Sequence, residues 1–212
     1  MIKLLIADNH PVSRKGLEVL FTATQDIEVV GSVGDGEAII EFVKRNPVDI
    51  VLMETDLPKL NGLTVLRFFK NEFPDIKTLI FSAQPEEVYA LNAIKAGASG
   101  YISKTENLIT LSEAIYKVYN GGIYLSNDLT QQLAFGNRVS TNGKASFYKK
   151  LSTREAEVLK LLTIGKKNKE ISQELDINEK TVSTYKARLM RKLKVTNLVD
   201  LVNQAKLAEE VL

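Results

Sequence analysis

The sequence contains no cysteine and no tryptophan, and histidine occurs once in its 212 residues, at His10. The lack of cysteine excludes disulfides, thiolate metal sites and cysteine nucleophiles, and a lone histidine argues against a His-rich zinc site or a Ser-His-Asp triad. No apolar run approaches the ~18–20 residues that span a bilayer, and the chain opens directly on the short run 2–7 without a signal peptide's basic start. A cytoplasmic protein without membrane contact is expected. With 44% hydrophobic and 25% charged residues, the composition is that of a globular chain, which rules out wholesale disorder. The length suits one large domain or two small ones.

The formal net charge of +2 conceals a split. Residues 1–125 hold 12 Lys/Arg and 16 Asp/Glu, a net of −4, whereas residues 149–212 hold 14 and 9, a net of +5. An acidic part is joined to a basic part, and a basic segment of this kind points toward nucleic acid or a membrane surface.

In the acidic part, short β-branched runs at 2–7, 28–33, 49–53, 78–82 and 100–103 alternate with amphipathic stretches at 11–24, 35–45, 61–73, 85–96 and 105–119. This alternation predicts an α/β doubly wound, five-stranded parallel sheet covered by helices on both faces, with ligands at the carboxyl ends of the strands. From Asn120 to about Lys149 the pattern breaks down around Gly136-Asn137 and Ser140-Thr141-Asn142-Gly143-Lys144, which reads as a linker with a short helix in 125–135. Beyond Leu151, the stretches 152–164, 168–175, 179–193 and 197–208 predict an all-α four-helix domain. The expected organisation is a domain at 1–120, a linker at 121–148 and a helical domain at 149–212.

Asp8-Asn9, Glu54, Ser82 and Lys104 fall at the ends of the first, third, fourth and fifth predicted strands, so one rim gathers them. Carboxylates, a hydroxyl and an ammonium in one place suit magnesium-assisted phosphoryl chemistry; a polar strand-end cluster without function has the same spacing. Ala7-Asp8-Asn9-His10-Pro11, Val51-Leu52-Met53-Glu54 followed by Pro58 and Gly62, Phe81-Ser82-Ala83 and Gly97-Ala98-Ser99-Gly100-Tyr101-Ile102-Ser103-Lys104 together resemble the receiver domain of bacterial two-component response regulators. The resemblance implies a phosphoacceptor at Glu54, a Mg²⁺ site around Asp8, Asn9, Glu54 and Asp56, a switch at Ser82, Tyr101 and Lys104, and a sensor histidine kinase as partner. His10 before Pro11 reads as a turn residue at the start of the first helix.

Two positions depart from that family. Glu54 stands where the acceptor aspartate belongs, and its extra methylene displaces the carboxylate from in-line attack. Asn9 replaces the second metal-binding acid, so Mg²⁺ is expected to bind weakly or not at all, and kinase control is called into question. Three readings of Glu54 stand open: a carboxylate that reaches Lys104 and Ser82 and imitates a phosphoryl group, an introduced Asp-to-Glu replacement with that effect, and a pocket that is inert or modified elsewhere, as at Asp56.

In the basic part, 168–175, Asp176-Ile177-Asn178 and 179–193 have the geometry of a helix-turn-helix. Val182, Leu189 and Leu193 fall at helical spacing toward a core, with basic and hydroxyl residues on the other faces. Leu151-Ser152-Thr153-Arg154-Glu155-Ala156-Glu157-Val158-Leu159, Gly165, Asn168-Lys169-Glu170-Ile171, Thr181-Val182 and Lys192-Leu193-Lys194-Val195 resemble the LuxR-type helix-turn-helix of the NarL/FixJ class. Helix N-termini and cations make Asn168, Lys169, Lys180 and Thr181 the expected backbone anchors on double-stranded DNA, and Ser183, Thr184, Lys186 and Arg188 the expected base readers. The resemblance also implies a homodimer paired through the last helix, at Leu198, Leu201, Val202 and Leu207. A DNA-binding transcriptional regulator is the leading expectation. The competing class, a phosphatase or small-molecule enzyme of flavodoxin-like fold, lacks a Gly-rich phosphate loop after residues 2–7 and a second catalytic base.

Overall fold

Five short strands in the first 103 residues are apolar where a parallel sheet would bury them. The computed structural model, which describes residues 1–135 and 151–210, assembles them as β1 (Ile2–Ala7), β2 (Ile27–Val33), β3 (Ile50–Met53), β4 (Lys77–Ser82) and β5 (Gly100–Ser103). All pairs are parallel and the order is β2-β1-β3-β4-β5. Helices α1 (Pro11–Thr22), α2 (Gly36–Arg45), α3 (Gly62–Glu72), α4 (Glu86–Ala96) and α5 (Leu108–Tyr119) connect or follow the strands. Every residue of β3 is buried, as a central strand covered on both faces requires.

The pleat sends Ile2, Leu4 and Ile6 of β1, with Ile50, Leu52, Leu79 and Ile102, to the face covered by Leu17 and Phe21 of α1 and Leu111, Ala114, Ile115 and Val118 of α5. The alternate residues Leu5, Val51, Met53 and Ile80 are equally buried, and α2, α3 and α4 bury Ile39, Val65, Leu66, Ala90 and Ala93. Helix starts follow side-chain caps: Asp35 accepts from the Ala38 N–H, Asn61 from Thr64 and Asn107 from Thr110. The Asn107 cap is why α5 begins at Leu108 rather than at 105. A glycine is required at position 36, where a Cβ would stand 1.9 Å from the Leu60 carbonyl oxygen.

The chain divides into two compact units, Met1–Ala134 and Phe135–Leu212. The first unit thus runs past residue 120, where the domain was expected to end. Tyr124 forms a parallel bridge with Gly100, and α6 (Asn127–Phe135), the short helix expected there, buries Leu129. The glycine- and serine-rich stretch 136–146 lies outside the described residues.

The second unit contains α7 (Thr153–Thr163), α8 (Asn168–Glu174), α9 (Glu179–Leu193) and α10 (Leu198–Glu210). Its core joins Val158, Leu159, Ile171, Val182, Leu189, Leu201 and Ala205, all essentially inaccessible. Ser152 and Glu155 form a reciprocal capping box at the start of α7. Glu155 also receives the Lys192 ammonium at 2.6 Å, tying that helix start to the end of α9. Among the described residues no helix is long and apolar enough to cross a membrane.

Candidate functional site

The sheet order reverses between β1 and β3, and the register levels the strand ends: Ala7 pairs with Met53, Met53 with Ile80 and Ser82 with Ser103. The residues next in line therefore emerge together at the switch point. The Glu54 N–H donates to the Ala7 carbonyl at 2.8 Å and the Lys104 N–H to that of Ser82 at 2.9 Å. Asp8, Glu54, Ser82 and Lys104 meet on one rim, as expected.

Both oxygens of the Glu54 carboxylate are bonded. Oε1 accepts from the Ser82 hydroxyl at 2.5 Å, the Thr55 N–H at 2.7 Å and the Thr55 hydroxyl at 3.0 Å, while Oε2 lies 2.8 Å from the Lys104 ammonium. Asp8 Oδ2 accepts from Lys104 at 2.5 Å and from Ser13 at 2.7 Å, and Oδ1 accepts from the His10 N–H at 2.8 Å. Lys104 thus bridges two buried carboxylates. Burial alone would depress its pKa, yet its bonds to Asp8 and Glu54 raise it. Burial likewise pushes the Asp8 carboxyl upward, but Lys104, the His10 N–H and Ser13 outweigh it and hold it below its ordinary value.

Asp56, expected among the metal ligands, is exposed on the loop after β3. Asn9 Oδ1 is the buried side-chain polar atom without a partner among the described residues. Within those residues no three His, Cys, Asp or Glu side chains are placed to hold a metal. Thr55 and Ser13 were missed in the sequence. Thr55 is simply the next residue after Glu54, and Ser13 lies in the first turn of a helix that starts at the rim. His10 caps α1 through its backbone, as a turn residue before Pro11 should, with its imidazole largely exposed.

Ser82 links the rim to the next element. Its hydroxyl donates to Glu54 and accepts from the Gln84 N–H at 3.2 Å, while the Tyr101 hydroxyl donates to the Gln84 carbonyl at 2.9 Å. The Tyr101 ring is completely buried, and that burial pushes its phenol well above the ordinary range.

In the second unit, Val182, Leu189 and Leu193 face the core as expected, so the outer faces of α9 carry the polar residues. Lys180, Thr184, Ala187 and Arg191 form one exposed stripe, with Arg188 beside it. Arg188 places its guanidinium over the Tyr185 ring, 5.9 Å from the centroid. Arg191, not singled out from the sequence, shares this face with Thr184, seven residues before it.

The other two expected readers, Ser183 and Lys186, and two of the expected anchors, Asn168 and Thr181, are tied to the scaffold. Asn168 donates to the Ser183 hydroxyl at 3.0 Å and accepts from the Lys186 ammonium at 3.1 Å, linking the start of α8 to α9. Thr181 sits in the cap of α9, its N–H and hydroxyl both directed at Asn178 Oδ1. Lys169 and Lys180 are exposed, whereas Lys166 is paired with Glu174. On α10, Leu198 and Val199 are exposed and Val202 is half-buried, but Leu201 is fully buried in its own unit and is not available to a partner. The side chain of Leu207 lies outside the described residues.

Comparison with known proteins agrees with both halves. Residues 4–116 match the response regulator receiver domain, and residues 149–205 match the luxR family of bacterial regulatory proteins. Over 206 residues the chain is 33% identical to the Fimbriae Z protein of Escherichia coli (strain K12), covering 97% of each. It is 32% identical over 205 residues to the response regulator UvrY of the same strain, covering 97% of this chain and 94% of that one. RcsB from Salmonella enterica serovar Typhimurium, solved bound to promoter rprA in the presence of phosphomimetic BeF3-, shares the fold with a TM-score of 0.73 at 22% identity, over 97% of this chain and 99% of that one. With a receiver fold ending in a strand-end pocket and a helical unit presenting a basic helix, this chain belongs to the NarL/FixJ family of two-component response regulators, as a DNA-binding transcription factor and not an enzyme.

Proposed function

We propose that this regulator binds DNA under control of a receiver pocket that works without phosphorylation, Glu54 standing in for a phosphorylated acceptor. The observation that carries this reading is the reach of one carboxylate to both Lys104 and Ser82. A phosphoryl group acts by adding negative charge and strong acceptor oxygens, and Glu54 supplies charge to the ammonium and an acceptor to three donors. The same engagement ties Oε1 to three donors and Oε2 to the Lys104 ammonium, and the extra methylene takes the carboxylate out of line for attack on a phosphodonor, so control by a histidine kinase is not part of this reading.

Nor does the pocket suit Mg²⁺. A hard dication takes oxygen ligands with several anionic charges among them, but both carboxylates already share Lys104, and Asn9 offers only a neutral, partnerless carbonyl. The tethered ammonium takes the cation's electrostatic place.

In the DNA-binding unit, Lys169, Lys180 and the start of α8 at Asn168 hold phosphates, with Thr181 fixing the entry of α9. Thr184, Arg188 and Arg191 meet the major groove, while Ser183 and Lys186 orient the reading helix through Asn168. A unit of this size reads one half-site, so a homodimer through Leu198, Val199 and Val202 completes a palindromic site.

The test compares the wild type with Glu54→Asp, each with and without acetyl phosphate, by intact mass and by affinity for a duplex selected by the wild-type protein from a random library. The wild type is expected to take up no phosphoryl group and to bind at full affinity. The Asp form should bind more weakly until phosphorylated. Stoichiometric labelling of the wild type on Glu54 or Asp56, with a gain in DNA affinity, would instead establish conventional control.

A further inference from the structure

The chain leaving α5 does not depart from the receiver; it crosses the free edge of β5. The Gly122 N–H donates to the Lys117 carbonyl at 2.9 Å, the Tyr124 N–H to that of Ser99 at 3.1 Å, and the Tyr101 N–H to that of Tyr124 at 2.9 Å. Two residues later the Ser126 N–H donates to Glu86 Oε1 at 2.9 Å, in the first turn of α4. Ser126 then caps α6, accepting from the Leu129 N–H at 3.1 Å, and Leu129 is buried.

Close approach is built into this path. A Cβ on Gly100 would stand 2.9 Å from both the Cβ and the carbonyl oxygen of Tyr124, and one on Gly122 would stand 3.0 Å from Lys117. Burial raises the Glu86 carboxyl, with Glu87 and Glu106 adding to the rise and Ser126 opposing it. A half-buried carboxylate is costly to retain unless it is hydrogen-bonded, and the Ser126 N–H supplies that bond.

We infer that residues 122–129 are a strap that carries the state of the receiver switch into the segment leading to the DNA-binding unit, with Glu86 as its latch. Tyr101 touches the strap with its backbone and Gln84 with its hydroxyl, while Glu86, two residues beyond Gln84, holds the far end. Any shift of Tyr101 or of the loop between β4 and α4 therefore moves both attachment points of the strap. The step from Tyr101 outward is independent of how Glu54 acts, so it stands or falls separately from the reading of the pocket.

Amide hydrogen exchange on the full chain tests it, with strands β1 and β3 as internal controls of folding. Glu86→Ala is expected to lower protection across 124–131 roughly tenfold, the scale of one lost charge-assisted bond, and Glu86→Gln, which keeps an acceptor, by much less. Tyr101→Phe should loosen 84–90 and 124–131 together. Both Glu86→Ala and Tyr101→Phe should change affinity for the wild-type-selected duplex by about threefold or more. If Tyr101→Phe loosens 84–90 alone, or if the strap loosens with DNA affinity unchanged, the strap transmits nothing and the inference is overturned. If Glu86→Ala leaves protection of 124–131 within about twofold of wild type, Glu86 is no latch.

Discussion

Replacing Glu54 by Gln removes one charge from the rim and almost no volume, which isolates what that charge does. In the preferred orientation the amide oxygen keeps the three donors on the Oε1 side, from Ser82 and Thr55. The amide nitrogen then faces the Lys104 ammonium at the 2.8 Å now spanned by an ion pair, donor against donor. Flipping the amide is worse, because its nitrogen would meet three donors. Breaking a buried pair costs ~3–5 kcal/mol when the surviving charge is stranded. Here Lys104 keeps Asp8 at 2.5 Å, so the loss is closer to that of one charge-assisted bond, ~1.5–3 kcal/mol. For a unit of this size, at about 4 °C per kcal/mol, the receiver should melt roughly 6–12 °C lower. Calorimetry of the full chain resolves this if the transition of the helical unit serves as reference and stays in place. In the variant Asp8 is the remaining anion on Lys104, and its folded-state pKa lies below the ordinary 3.8. Its stabilisation is therefore complete above that value and is lost as pH falls through the depressed one. A receiver shift under about 2 °C at neutral pH would refute the energetic role given to the Glu54–Lys104 pair.

Further outcomes follow from the second unit and from one turn. Glu155→Gln should lower the melting temperature of the helical unit at neutral pH through the loss of the Lys192 bond; because the Glu155 pKa is lowered from 4.5, the difference from wild type should close as pH falls through the depressed value. Lys169→Ala should weaken binding to all duplexes and reduce the log–log salt slope by about 0.9, whereas Arg188→Ala or Arg191→Ala should change the sequences recovered in a selection. Leu201→Ala should destabilise the helical unit by ~2–5 kcal/mol in denaturant titration. Val199→Ala should leave that stability in place and weaken binding to paired half-sites more than to a single half-site. Gly36→Ala drives a Cβ to within 1.9 Å of the Leu60 backbone and should cost at least ~1–3 kcal/mol in receiver stability.

Local chemistry makes most of this architecture legible in the sequence. The β-branched runs, the amphipathic spacing and Pro11 each act within a few residues, so the strands, helices and shared rim could be read directly. The boundary at 120 could not, because what holds 121–134 to the receiver is a backbone bridge to Gly100 and a bond to Glu86, 40 residues away in sequence. Leu201 misled for a related reason: an apolar residue on a terminal helix has the same signature whether it meets its own core or another subunit. Thr55 was invisible as a site residue because its contribution to Glu54 is half backbone, and a backbone donor leaves no mark in side-chain chemistry.

The bonds from Asn168 to Ser183 and Lys186 bear on how this protein could be reprogrammed. Specificity is often pictured as a property of one helix, to be transplanted by exchanging its exposed residues. Here two positions on that helix, Ser183 and Lys186, are held from outside it by a side chain 15 and 18 residues upstream. A graft of α9 alone would separate the reader from its brace, so the smallest transferable module runs from Asn168 through Arg191, turn included.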